Sequence, residues 1–337
     1  MTDVAVVAFA ESAGGAESTT SGVEMLVPAI TEALGSAGLG RRDIGFWCSG
    51  SSDYLAGRAF SFVQAVDAIG AVPPIAESHV EMDAAWALYE AWVKILTGDA
   101  ETALVYGFGK GTAGDLRRVL ALQLDPYLVA PLWPDAVSIA ALQARLGIEA
   151  GLWSEKEMAE VAARLRGGSA DELLAEPYIA EPLRAHDCAP YTDGASVVIL
   201  ASGSRARDLR ERPAWISGFS HRTDSGSLGS RDLTTSPSAA AAAGAVGALS
   251  GNIDVAELHA PFTHQELLLR TALDLPPSTR VNPSGGVLGG NPMFAAGLAR
   301  IGWAARAVMS GDADRAIGHA TSGPCLQQNL VCVMEAL

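Results

Sequence analysis

Two carboxylates, a histidine and an asparagine are the side chains whose types and places in this chain suit chemistry. Glu81 and Asp83 open VEMDAAWALYEAW, in which Ala84, Ala87, Leu88, Ala91 and Ile95 recur at helical spacing. The spacing predicts a helix opening near Glu81 and Asp83, and a helix N-terminus favours negative charge. A carboxylate in that place is either a cap for the helix or a base that takes a proton from a ligand. His259 ends an apolar strand just ahead of a helix, and Asn291 precedes Pro292 at another helix start. His259 in that place is either a structural histidine or a functional one, and Asn before Pro is an ordinary start signal for a helix. His79 and His264 are weaker candidates. The four cysteines, Cys48, Cys188, Cys325 and Cys332, show no paired spacing. This points to a reducing compartment and away from a metal site. Cys325 reads as a small buried hydrophobe or as an acid–base group.

These residues need elements to position them. The chain has 337 residues, 49% of them hydrophobic, with 36 glycines and a net charge of −15. That length supports one large core or two fused halves, and the charge argues against nucleic acid as a partner. The longest uncharged apolar run, 236–253, is mostly Ala, Gly and Ser, and it predicts a packed helix and no membrane span. Residues 1–10 contain Asp3 and read as a strand, not a leader, so a cytoplasmic location is expected.

In order, the pattern predicts a strand at 4–9, a helix at 21–38, a strand at 44–48, a helix at 53–70 and an extended segment at 72–80. The helix after Asp83 and a strand at 102–106 follow. An excursion, 111–191, holds helices at 135–146 and 154–166, and a strand at 195–200 closes this part. The polar, arginine-rich GSRARDLRERP at 203–213 reads as a solvated hinge. Strands at 215–219, 255–259, 313–320 and 330–335 then alternate with helices at 237–249, 263–273 and 292–309. TGDAETALVYG, from Thr97, returns as SGDADRAIGHA, from Ser310. An internal duplication explains this, with halves at 1–203 and 204–337. Alternating strands and helices predict an α/β body of mainly parallel sheets covered on both faces. Ligands in such bodies sit at strand C-terminal ends and helix N-termini.

Five segments in order resemble the thiolase superfamily, in its sterol-carrier-protein and lipid-transfer branch. They are the central helix with TGDAETALVYGFGK, IAEPLRAHDCAPYTDGASVVILA, ELHAPFTHQEL, NPSGGVLGGNPMFAAG and a C-terminal apolar strand. The resemblance spans essentially the whole chain. It implies a thiolase fold of two βαβαβαββ halves in five αβαβα layers and a homodimer. It also implies an acyl-CoA thioester as ligand, with coenzyme A as part of the substrate and no permanently bound cofactor. It puts Glu81 or Asp83 in the slot of the family's nucleophilic cysteine, and His259 at the histidine of its His-Asp-Cys/Ala-Phe motif. Asn291 stands at the histidine of its Gly-His-Pro, and Cys325 lies two residues beyond the place of its second cysteine. Asn282, Gly285, Gly286, His264 and Cys325 are the candidate substrate contacts.

No cysteine lies between Cys48 and Cys188, so the acyl-cysteine of the family has no counterpart at the helix start. A carboxylate base with neutral donors suits retro-aldol cleavage instead. Glu81 or Asp83 would take the β-hydroxyl proton, and His259 and Asn291 would hold the thioester enolate. The resemblance implies a lyase of lipid or steroid side-chain CoA thioesters, acting with a small OB-fold, zinc-ribbon partner protein. Two other readings stand beside it. One is a non-catalytic acyl-CoA or lipid-binding protein or scaffold, and the other is an acetyl-CoA acyltransferase.

Overall fold

The structure is a computed structural model, and it describes residues 3–13, 19–53, 61–70, 72 and 74–337. Its first half is built on β1 (Val4–Ala13), β2 (Phe46–Gly50), β3 (Glu77–Val80) and β4 (Thr102–Lys110). Its helices are α1 (Gly22–Ala37), α2 (Ser61–Ile69) and α3 (Ala84–Leu96). Local chemistry sets these bounds. The Ser21 hydroxyl accepts from the Glu24 N–H at 3.2 Å, and the Glu24 carboxylate accepts from the Ser21 N–H at 2.7 Å, which closes a capping box at the start of α1. Gly38, at φ +64°, ends that helix in the left-handed conformation that glycine adopts without cost. Met25, Ile30 and Leu34 lie on the buried face of α1, as their spacing predicts. The expected helix at 53–70 overlaps residues outside the described set, and its last part is α2.

The excursion that follows β4 holds α4 (Leu116–Leu122), α5 (Ala136–Glu149), α6 (Glu155–Arg166), α7 (Ala170–Leu174) and a small hairpin, β5 (Tyr178–Ala180) with β6 (Leu183–Arg184). Strand β7 (Asp193–Ser202) returns the chain to the sheet, and α8 (Gly203–Leu209) leads to the second half. That half comprises β8 (Ala214–Thr223), α9 (Pro237–Ala245), β9 (Val255–Glu257), α10 (Thr263–Ala272), β10 (Arg280–Val281), α11 (Ala296–Ser310), β11 (Arg315–Ser322) and β12 (Gln328–Glu335).

Strand order carries the repeat. The first five strands of the sheet lie in the order β3-β2-β4-β7-β1, and the last five in the order β10-β9-β11-β12-β8. Each run reads third, second, fourth, fifth, first. The two runs meet where Ala5 and Val6 of β1 pair with Trp215 and Ala214 of β8. The repeated Gly-Asp-Ala turns precede β4 and β11, which occupy equivalent places. Helices α3 and α11 pack between the two runs, with Leu88, Ile95, Leu298 and Ile301 fully buried in one core with both inner faces. The outer face of the first run is covered by α1 and α2. The outer face of the second is covered by α9 and α10, with α5 of the excursion packed alongside. The layers are αβαβα. Burial of each such large aliphatic side chain is worth about 1.5–3 kcal/mol, and it is this central seam that positions the site.

Several expectations need correcting. The sheet is mixed and not mainly parallel: β1, β7, β8 and β12 all pair antiparallel, because β11 and β12 are joined by a short turn and β1 lies against β7. The expected extended segment at 72–80 is strand only over Glu77–Val80, a half-buried strand at the sheet edge. The segment at 203–213 is no solvated hinge. It forms α8, the Arg207 guanidinium lies 4.7 Å over the Trp215 ring, Arg210 donates to the Val7 carbonyl, and Arg212 donates to the Val308 carbonyl. Arg210 thereby ties the second half to the first, while Arg207 and Arg212 find partners within the second half, which their polar sequence context conceals. Helix α11 starts four residues after Pro292, so Asn291 does not cap it. Among the described residues no helix is long and apolar enough to cross a membrane.

Candidate active site

A cavity of about 460 Å³ opens where β3, β9 and β11 end and α3 and α11 begin. Its polar floor combines Glu81, Asp83, His259 and Asn291, which stand far apart in sequence. The turn from β11 to β12 forms one side, with Gly323, Cys325 and Leu326. Leu120, Leu124 and Ile139 of the excursion, with Phe262, supply an apolar wall.

Asp83 is the N-cap of α3 and is 4% exposed. Its Oδ1 accepts from the Ala85 N–H at 2.9 Å and the Leu298 N–H at 3.0 Å, and its Oδ2 accepts from the Gly297 N–H at 2.9 Å. One carboxylate therefore caps α3 in the first half and α11 in the second. Glycine at 297 makes this possible, since a Cβ there would lie 2.6 Å from the Asp83 Oδ1. Burial pushes the pKa of this carboxyl up, while the three N–H donors oppose the shift. Every donor at the start of α3 is already engaged, because the Ala84 N–H donates to the Phe294 carbonyl at 2.9 Å.

Glu81 is placed differently. Its side chain is 52% exposed and borders the cavity. The Asp53 N–H donates to its Oε1 at 3.2 Å, and the His79 Nε2 lies 3.5 Å from its Oε2. Of the two carboxylates that border the cavity, Glu81 is the exposed one, and three backbone N–H groups give Asp83 the work of a staple.

His259 and Asn291 meet at 3.3 Å, Nε2 to Oδ1. The Thr321 N–H points at the His259 Nδ1 from 3.5 Å, which places the ring proton on Nε2 and aims it at the Asn291 carbonyl oxygen. The Asn291 amide nitrogen is then the donor left for the cavity, having no acceptor among the described residues. The polypeptide on either side of Asn291 is fixed as well, since its N–H donates to the Pro190 carbonyl at 3.0 Å. Burial, with the nearby His319 and Arg300, pushes the pKa of His259 down to about 3, so its imidazole is neutral.

Of the expected substrate contacts, only Cys325 borders the cavity. Asn282 is buried, at φ +51°, and its side chain accepts from the Leu258 N–H and donates to Glu266. Gly285 and Gly286, at φ +100° and +62°, turn the chain around it. The NPSGG segment is thus a scaffold for the loop that carries Asn291. His264 is fully buried, with its Nε2 3.1 Å from the Gln143 side-chain Oε1, and only its neighbour Gln265 reaches the cavity. Sequence reasoning also missed Phe294, Cys325 and Leu326 as backbone features. All three adopt positive φ (+68°, +52° and +56°) and all three border the cavity. Strain of that kind costs about 1–3 kcal/mol per residue and concentrates at functional sites. No spacing signal announces it.

No protein-family model matches the chain. Its sequence is 26% identical over 348 residues to an acetyl-CoA acetyltransferase of Methanocaldococcus jannaschii, a match covering 90% of this chain and 88% of that protein. A 39-residue stretch is 54% identical to the 17-hydroxy-3-oxo-4-pregnene-20-carboxyl-CoA lyase of Mycobacterium tuberculosis, covering 12% of this chain and 10% of that one. Among solved structures, human mitochondrial 3-ketoacyl-CoA thiolase in complex with CoA superposes with a TM-score of 0.79 at 16% identity, covering 100% of this chain and 98% of that chain. The Ltp2-ChsH2(DUF35) aldolase superposes with a TM-score of 0.80 at 19% identity, over 99% and 98% of the two chains.

The fold is the thiolase fold. Fold and curated relatives together support a place in the thiolase superfamily.

Within this thiolase fold the start of α3 carries Glu81-Met82-Asp83-Ala84 and no thiol. Cys48, Cys325 and Cys332 are buried, and Cys188 is half-buried. Burial pushes the pKa of Cys188 and of Cys325 up to about 12, and raises Cys48 and Cys332 as well. A thiol so shifted has almost no thiolate at neutral pH. Among the described residues there is also no cluster of three or more His, Cys, Asp or Glu side chains placed to hold a metal ion.

Proposed function

We propose that this thiolase-fold protein is a cysteine-independent carbon–carbon lyase that cleaves a β-hydroxyacyl-CoA thioester by retro-aldol reaction. The observation that carries the reading is the floor of the cavity. A cavity-facing carboxylate, Glu81, shares it with a neutral His259–Asn291 donor pair, while the start of α3 offers neither a thiol nor a free N–H.

Glu81 accepts the proton of the β-hydroxyl, the oxygen's electrons form the carbonyl, and the Cα–Cβ bond breaks. Its electron pair passes to the thioester, whose enolate oxygen takes a hydrogen bond from the Asn291 amide. His259, neutral and hydrogen-bonded to the Asn291 oxygen, holds that amide with its N–H groups forward. The proton on Glu81 then returns to the enolate carbon, so protons and electrons balance without an added reagent. Asp83 takes no part, since both its oxygens are occupied by backbone donors.

The acyl group of the substrate is proposed to be a lipid or steroid side chain, with the apolar wall of Leu120, Leu124, Ile139 and Phe262 as its seat. One solved neighbour is named as the Ltp2-ChsH2(DUF35) aldolase. By analogy this chain is read as acting with a small OB-fold, zinc-ribbon partner and as pairing with a second copy of itself. Incubation with 3-hydroxyacyl-CoA thioesters of graded size, followed by mass spectrometry, tests the proposal. A shorter acyl-CoA with an aldehyde or ketone is expected. Acyl transfer to free CoA would favour the acetyltransferase reading, and tight binding without turnover would favour a binding protein.

A further inference from the structure

Glu81 lies more than half exposed, and an exposed glutamate samples many rotamers. A base needs a fixed approach to the proton it removes, because misplacement by about 1 Å is enough to cost roughly a hundredfold in rate. Something must therefore hold this carboxylate.

The structure places a side-chain chain behind it. Ser49, at the end of β2, is 1% exposed, and its Oγ lies 2.9 Å from the His79 Nδ1. The opposite ring nitrogen of His79, on β3, lies 3.5 Å from the Glu81 Oε2. Registry brings the three together, since Ser49 and His79 are direct partners in the parallel β2–β3 ladder and Glu81 follows one residue past the end of β3. The proton positions follow from chemistry. A carboxylate only accepts, so the His79 Nε2 carries the proton, and in that tautomer the Nδ1 accepts from the Ser49 hydroxyl. The Asp53 N–H fixes the other oxygen of Glu81. Glu77 faces the same imidazole from β3, and the buried Tyr106 hydroxyl lies beside Ser49.

We infer that His79, locked in its Nε2–H tautomer by Ser49, is a positioning residue that orients Glu81 towards the substrate. The inference deepens the lyase reading and rests on it for its kinetic consequence, but not for its geometry. Ser49, buried and hydrogen-bonded inward, is no nucleophile in spite of a serine–histidine–glutamate order.

The test uses His79→Leu, His79→Gln and Ser49→Ala in the full chain. His79→Leu is expected to lower kcat by roughly tenfold to a hundredfold with KM little changed, as loss of an orienting partner does. His79→Gln, whose amide can still donate to Glu81, is expected to recover most of the loss. Ser49→Ala is expected to fall between them. Nitrogen-15 NMR of the imidazole gives a readout that needs no turnover. The wild-type ring should show the Nε2–H tautomer, and Ser49→Ala should increase the Nδ1–H form. An Nδ1–H ring in the wild type, or a His79→Leu variant with unchanged kcat in an active lyase, overturns the inference. Absence of lyase activity alongside an Nε2–H ring would instead count against the reaction and leave the geometry standing.

Discussion

Replacing Asp83 separates a staple from a base. In Asp83→Asn one oxygen remains to serve the Ala85 and Leu298 N–H groups, and an NH₂ group faces the Gly297 N–H, donor against donor. A buried N–H left without its acceptor costs about 1–3 kcal/mol. Loss of the negative charge at two helix N-termini adds about 0.3–1 kcal/mol at each, and more where the site is buried. The sum is about 2–5 kcal/mol, a large share of the roughly 5–15 kcal/mol that holds a typical protein folded. In a chain of this size a loss of that order lowers Tm by roughly 3–7 °C.

Differential scanning fluorimetry and urea titration of Asp83→Asn and Glu81→Gln give the comparison. Glu81→Gln should keep Tm within roughly 2 °C, because exposed pairs contribute little, and should lose about 10²–10⁴-fold in lyase rate. An Asp83→Asn variant as stable as the wild type would show that no ionised carboxylate staples the two helices. A protonated carboxyl resembles the amide and would leave one N–H unserved already, so the argument for a staple would fall with that result.

Three more outcomes are expected. Native alkylation with iodoacetamide should proceed slowly and leave activity intact, and a trapped acyl group on Cys325 or Cys188 by mass spectrometry would contradict the assignment. Stability should fall steeply on acidification, because burial pushes the pKa of His259 and His264 down to about 3 and of His319 down to about 4. Their neutral forms contribute in full above the unfolded value of 6.5, and the contribution is lost as pH falls through that value towards 4, at about 1.4 kcal/mol per pH unit for each histidine. Urea midpoints at pH 7, 6 and 5 check this, and a flat series refutes it. The edge strand β3 is the proposed site of pairing with a second copy, and a monomeric mass by light scattering at micromolar concentration would exclude it.

Much of the scaffold is legible in the chain because it is local. The helix over 21–38, the apolar stripe of α3 and the repeated Gly-Asp-Ala turn each rest on signals within a few residues, and each appears where the pattern places it. Strand direction is not local. Nothing in the apolar run of β7 says that it pairs antiparallel with both β1 and β4. Site residues divide the same way. Glu81, His259 and Asn291 border one cavity, and Asp83 differs from Glu81 only through its partners Gly297 and Leu298, more than 200 residues away. The glycines of NPSGG carry a signal for unusual backbone, and that signal was read as substrate contact when it serves a turn. Arg207, Arg210 and Arg212 look like a solvated linker because charge density is all that a sequence shows of them. Their carbonyl and ring partners exist only in the fold.

The position of Asp83 bears on the reaction itself. A helix N-terminus is a fixed source of positive potential, and two of them converge on this cavity. Left open, they would favour an anion such as a thiolate. Here a carboxylate of the chain fills the place, and the Phe294 carbonyl takes the one N–H that remains at the start of α3. The field that would activate a nucleophile is spent on joining the two halves. Any negative charge that develops on a bound thioester must then be met by groups outside the helix ends, and the His259–Asn291 pair on the cavity lining is the set proposed for it. A neutral donor pair gains strength as charge develops on its acceptor, so it favours the enolate over the ground-state thioester. Truncation of Asn291 to Ala should therefore lower kcat more than it raises KM. Equal effects on both, in a variant that folds normally, would mean that the pair binds substrate without assisting bond cleavage.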